Sequence, residues 1–110
     1  MKDLTKTEEI ILLAIWRLKD KAYGVKIRRH ISELTGKDFT YGNLYSALNQ
    51  LTKKKYVIKH REESLPARRG WKRMYYTLSP FGLKALKEAY EMNEKMWKGI
   101  SKYAFELSEK

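Results

Sequence analysis

The chain has no cysteine, so disulfides, thiolate metal ligands and thiol redox chemistry are excluded. It has only two histidines, His30 and His60, far apart and without Asp or Cys at metal-ligand spacing, so no metal or other cofactor is expected. No apolar run approaches the roughly 20 residues that a membrane span requires, and the N-terminus lacks a signal-peptide pattern. A cytoplasmic protein without membrane contact is the resulting expectation. There is no Gly-rich phosphate loop, no Gly-x-Ser-x-Gly, and no carboxylate pair placed to separate two pKa values, so an enzyme is not expected. The two prolines, Pro66 and Pro80, leave most of the chain free to form helix.

What is present is positive charge. The 110 residues carry a formal net charge of +11, and 43% are hydrophobic, enough for one modest core. Between Lys53 and Arg73 stand nine Lys or Arg against two acids, Glu62 and Glu63. The run is not a tail. It leaves an amphipathic helix, passes through an alternating strand (Tyr56–Arg61), and closes on a second strand (Trp71–Leu78). The stretch from Glu62 to Gly70 is too long for a tight turn and is predicted to form a wing tip. Glu62 and Glu63 are expected to be solvated there, where they would also limit nonspecific affinity by repelling phosphate. A basic hairpin behind an apolar-backed helix suits a polyanion, and double-stranded DNA is the expected partner.

The helices are legible from their ends. Thr5 and Glu8 form a capping box ahead of a first helix that is apolar all round, with Ile10, Ile11, Leu12, Leu13, Ile15, Trp16 and Leu18. Such a helix is buried on more than one side, which suggests a second subunit, with Ile11 at the boundary. Tyr23-Gly24 breaks the chain before a second helix from about Val25, which ends at Gly36, a left-handed cap. Thr40 is the expected N-cap of a third helix, about Tyr41–Lys54, whose stripe is Leu44, Ala47, Leu48 and Leu51. Its other face carries Gly42, Ser46, Asn49 and Lys53, flanked by Asn43 and Gln50. Amides can pair with adenine edges, and Gly or Ser permits close approach.

Ser79-Pro80 opens a last helix, with Ser as N-cap and Pro at the first position. Leu83, Leu86, Tyr90, Asn93, Trp97, Ile100, Ala104 and Leu107 follow a 3-4 spacing, a seam with one polar position, Asn93. With Gly99 as its sole breaker, the helix would approach roughly 40 Å and would need a partner.

Four pieces resemble the PadR family of winged-helix transcriptional regulators in its short form. They are Tyr23-Gly24-Val25-Lys26-Ile27, then Thr40-Tyr41-Gly42-Asn43-Leu44-Tyr45 with Leu48 and Leu51, then Lys72-Arg73-Met74-Tyr75-Tyr76-Thr77-Leu78-Ser79, and finally Gly82. The resemblance runs from about Leu4 to Gly82. It implies a mainly α fold with a small β-hairpin wing, a winged helix-turn-helix with a long C-terminal dimerisation helix. Residues 1–79 would be the DNA-binding domain and 80–110 the dimerisation helix. It also implies a homodimeric repressor on a palindromic operator, with a small-molecule effector as a candidate partner.

One branch of the family holds flat aromatic compounds between tryptophans. Counting from Gly82, the matching position here is Asn93, with Trp97 one turn further on, a departure from that pattern. Trp97, Met96 and Asn93 are the candidates for an effector pocket, and dimer core is the plainer role for Trp97, Met92 and Met96.

The DNA-binding candidates are Thr40, Tyr41, Asn43, Tyr45, Ser46, Asn49, Gln50 and Lys53 on the third helix, and Arg61, Arg68, Arg69, Lys72 and Arg73 on the wing. For Tyr45, packing and phosphate contact are both open. The dimer candidates are Ile11, Leu83, Leu86, Tyr90, Asn93, Trp97, Ile100, Ala104 and Leu107. The alternatives are a nonspecific architectural nucleic-acid-binding protein, against which the amide-rich helix face argues, and a winged helix for protein contact, which would not need nine basic residues.

Overall fold

The computed structural model describes residues 4–62, 73–100 and 106. The elements are α1 (Lys6–Leu18), one turn of 3-10 helix (Lys19–Lys21), α2 (Gly24–Thr35), α3 (Tyr41–Lys53), β1 (Val57–Arg61), β2 (Met74–Leu78) and α4 (Pro80–Trp97).

Side chains satisfy the free amides at three helix starts. The Thr5 hydroxyl accepts from Glu8 N at 3.1 Å, and Thr5 N donates to the Glu8 carboxylate at 2.9 Å, which completes the capping box of α1. Thr40 Oγ1 accepts from Asn43 N, and Ser79 Oγ from Gly82 N, with Pro80 at the first turn of α4. Gly36 closes α2 at φ 76°, and its N–H donates to Ser32 O.

α1, α2 and α3 enclose Ile11, Leu12, Ile15, Ile27, Ile31, Leu44, Leu48 and Leu51, each at most 2% exposed. Val57 and Tyr76 cover this cluster from one face of the hairpin, and Leu86 reaches it from α4. The strands pair antiparallel, Val57 opposite Leu78 through Arg61 opposite Met74. A third segment joins the sheet: Tyr23 bridges Tyr75, and Tyr76 N donates to Ala22 O at 3.1 Å. The expected chain break at Tyr23-Gly24 thus also forms an isolated bridge to the hairpin, and Tyr23 is the N-cap residue of α2, which begins at Gly24.

Three expectations are corrected here. The last helix stops at Trp97 rather than running on past Gly99. Lys98 turns extended (φ −58°, ψ 128°) and Gly99 takes φ 85°, so Ile100 lies outside the helix. Eighteen residues give about 27 Å, not 40. Ile11, expected at a subunit boundary, is wholly enclosed in the chain's own core. Leu86, expected on the seam, is 5% exposed and packs mainly into that core, while also lining the groove between α1 and α4. Ala104 and Leu107 lie outside the described residues. Among those residues, no helix is long and apolar enough to cross a membrane.

Candidate nucleic-acid interface

α2 and α3 are fixed to one another before either meets a ligand. Arg28 of α2 donates from Nε to the Phe39 carbonyl in the connecting loop, and its guanidinium lies 4.7 Å from the ring centroid of Tyr41 at the start of α3. Gly24 belongs to the same packing: a Cβ there would lie 2.1 Å from the Tyr45 hydroxyl, so the tip of that side chain would have to move. Tyr45 therefore directs its hydroxyl into the chain while remaining 39% exposed, and its ring stacks on Tyr41 at 6.3 Å. Burial raises the Tyr76 phenol above its ordinary range, and nearby Tyr45 adds to the shift.

With the Leu44, Leu48 and Leu51 stripe buried, α3 presents Tyr41, Gly42, Asn43, Tyr45, Ser46, Asn49, Gln50 and Lys53 outward, all exposed; the N-cap Thr40 is exposed too. Gly42 differs from Gly24: nothing lies within 4 Å of a Cβ built on it. A glycine inside a helix costs roughly 1 kcal/mol relative to alanine, and no neighbour in the described chain requires this one.

Lys53, Lys54 and Lys55 close α3 and lead into β1, where Lys59 and Arg61 are exposed, as is Arg73 across the hairpin. Lys54 is committed elsewhere: its ammonium pairs with Glu8, which is only 8% exposed. Burial alone would raise the Glu8 carboxyl. The hydrogen bonds from Lys54 and Thr5, with the charge of Lys54, outweigh it and hold the group below its ordinary value. Arg68, Arg69 and Lys72 lie outside the described residues.

Glu62 departs from the expectation of a solvated acid. It is half-buried, and its Oε2 accepts the Tyr23 hydroxyl proton at 2.7 Å. Arg73 lies over the Tyr23 ring, 5.1 Å from the centroid. His60 stacks on Tyr75 at 4.7 Å and lies 2.8 Å from the Thr77 hydroxyl. His30 Nε2 accepts from Arg17 Nε at 3.0 Å. Among the described residues no group of three or more His, Cys, Asp or Glu could hold a metal.

Away from this surface, an apolar groove of about 600 Å³ runs between α1 and α4, lined by Leu13, Trp16, Pro80, Leu83, Leu86 and Tyr90 with two lysine stems. The effector candidates Asn93, Met96 and Trp97 are not in its lining. They are exposed on the last turns of α4. Leu83 and Tyr90 are exposed as expected, at 42% and 63%.

This is a winged helix: three helices, a basic hairpin and a C-terminal helix, with α3 outward. The model of the transcriptional regulator PadR-like family matches residues 11–88, and the chain belongs to that family, one of DNA-binding transcription regulators rather than enzymes. Similar folds occur in RosR of H. salinarum (TM-score 0.69, 23% identity, 97% of this chain and 89% of that one) and in F93 from STIV, a winged-helix DNA-binding protein (0.67, 19%, 89% and 98%). A PadR family transcription regulator from Clostridium difficile is similar as well (0.62, 24%, 91% and 96%). Comparison with curated proteins finds no match.

Proposed function

We propose that the chain acts as a homodimeric repressor that reads a palindromic DNA operator. The observation that carries this is the outer face of α3: exposed Ser46, Asn49 and Gln50 beside a glycine that no part of the described chain requires. In this role Asn49, Gln50, Ser46 and Asn43 meet base edges in the major groove, and Gly42 lets the helix in. Thr40, Tyr41 and Tyr45 seat the helix start against the backbone. Lys53, Arg61 and Arg73 neutralise phosphates, and Arg68, Arg69 and Lys72 join them from the wing.

The dimer is supported by the apolar groove between α1 and α4 and by the exposed Leu83, Tyr90, Met92, Met96 and Trp97. Soluble monomers rarely leave so much apolar surface on one element. Residues 80–110 would supply this contact and residues 1–79 the DNA-binding unit. If an effector acts, the exposed turns around Asn93, Met96 and Trp97 are where its binding would bear on the dimer.

The test is footprinting of the purified protein on the DNA upstream of its own gene, with Asn49→Ala in parallel. Two symmetric half-sites, with α3 helices about 34 Å apart, are expected. Asn49→Ala should cost about 1–3 kcal/mol on that site and much less on random duplex. A single asymmetric footprint, or equal loss on both DNAs, would favour a nonspecific architectural binder.

A further inference from the structure

The wing carries an arrangement that phosphate clamping alone does not explain. The ladder extends one pair beyond β1 and β2, with Glu62 N donating to Arg73 O at 2.9 Å. Side chains alternate across a strand, so Glu62 and Arg73 share a face with His60 and Tyr75, opposite the face of Val57 and Tyr76 that covers the core. Tyr23 stands against this outer face. Its ring meets Tyr75 edge-on at 6.0 Å, its backbone bridges Tyr75, and its carbonyl accepts from Ile27 N in the first turn of α2. A side chain held this way at both ends is a fixed post. From it the hydroxyl donates to Glu62 while the ring lies under Arg73. The Glu62 carboxylate that accepts its proton pushes the Tyr23 phenol above its ordinary range; burial adds to this and Arg73 opposes it, so all three groups interact.

We propose that Glu62, held in place by Tyr23, is a brake on phosphate contact at the wing base that lowers affinity for random DNA. The inference rests on the DNA-binding reading above. A phosphate approaching Arg73 meets a carboxylate that cannot swing away without losing the Tyr23 hydrogen bond. Nonspecific binding consists almost wholly of phosphate contacts, so a fixed negative charge weakens it directly. A complex on the operator has base contacts to offset the same repulsion. Screening confines the effect to about 8 Å at physiological salt, which makes it local to Arg73 and its neighbours.

The full chain can be tested on a random-sequence duplex across a salt series. Glu62→Gln keeps an acceptor for Tyr23 and removes the charge. It should raise random-duplex affinity about two- to fivefold, the range for an exposed charge pair. It should also steepen the slope of log K against log salt by about 0.9, the increment for one further neutralised phosphate. Tyr23→Phe keeps the ring and the carboxylate's charge but removes the hydrogen bond that holds the carboxylate in place, so affinity should rise, by less than in Glu62→Gln. Unchanged or weaker random binding by Glu62→Gln at an unaltered melting temperature would overturn the brake. So would random-duplex affinity that is unchanged or lower in Tyr23→Phe, because the tie to Tyr23 would then play no part. If the unsubstituted protein binds no duplex at all, the DNA-binding reading itself fails, a result visible before any variant is made.

Discussion

The two halves of α4 follow one sequence rule and come to opposite ends. From Pro80 to Leu86 one face of the helix is anchored: Ala85 and Leu86 are buried, and a Cβ on Gly82 would lie 2.1 Å from the Tyr56 carbonyl, while Phe81 and Leu83 on the other side stay exposed. From Tyr90 to Trp97 the same apolar spacing continues, yet Tyr90, Met92, Met96 and Trp97 are 52–73% exposed. Periodicity says that a face will be covered. It does not say whether the cover comes from the same chain or from another copy. How much of the face the chain covers itself depends on how far the three-helix core reaches, and here it reaches Leu86.

The sharpest way to break that contrast is at the boundary between the halves. Leu86→Ala should destabilise the fold by about 2–5 kcal/mol in denaturant titration, whereas Met92→Ala should change the stability of the winged-helix core by less than about 0.5 kcal/mol. Comparable losses at both positions would mean that the halves are not distinct.

The glycines extend the comparison. Gly82→Ala forces a methyl against the Tyr56 backbone and should cost about 1–3 kcal/mol. Gly42→Ala meets nothing within the described chain and should stabilise α3 by up to about 1 kcal/mol while weakening operator binding. Thermal melts paired with binding assays would separate the two behaviours.

The smallest effect concerns α1. The Glu8 carboxyl is held below its ordinary value in the folded chain, so it contributes stability above its unfolded pKa and loses that contribution as pH falls through the folded one. Glu8→Gln should cost about 1 kcal/mol at neutral pH, and its deficit should shrink on acidification. A deficit that stayed constant with pH would assign the effect to packing rather than charge.

Local signals are the legible ones. Thr5 with Glu8, Gly36, Thr40 and Ser79 each announce a helix end because capping chemistry acts within four residues. The outward face of α3 follows from a helical period over thirteen residues. Long-range and very short features are not legible. The Ala22–Tyr23 bridge is too brief to show alternation. The Tyr23–Glu62 bond joins residues 39 apart, with no pattern between them. For α4, the 3-4 spacing argues for continuation, but a glycine free to take φ 85° ends the hydrogen-bond ladder regardless of side-chain pattern. Ile11 falls on the opposite side from the one expected because an all-round apolar helix does not reveal which residues its own chain covers.

At Ser79 the main chain is tied three ways. Its hydroxyl donates to the Lys55 carbonyl, its N–H donates to the Tyr56 carbonyl, and Gly82 N returns to the hydroxyl. Mechanically, α4 is a lever clamped at one end to the joint between α3 and the wing. With an arm of about 27 Å, a tilt of about 10° at the clamp displaces the free end by about 5 Å. The leverage works in reverse as well: a few ångströms of movement imposed on the free end would return to the joint as a small rotation of α3 and the wing together.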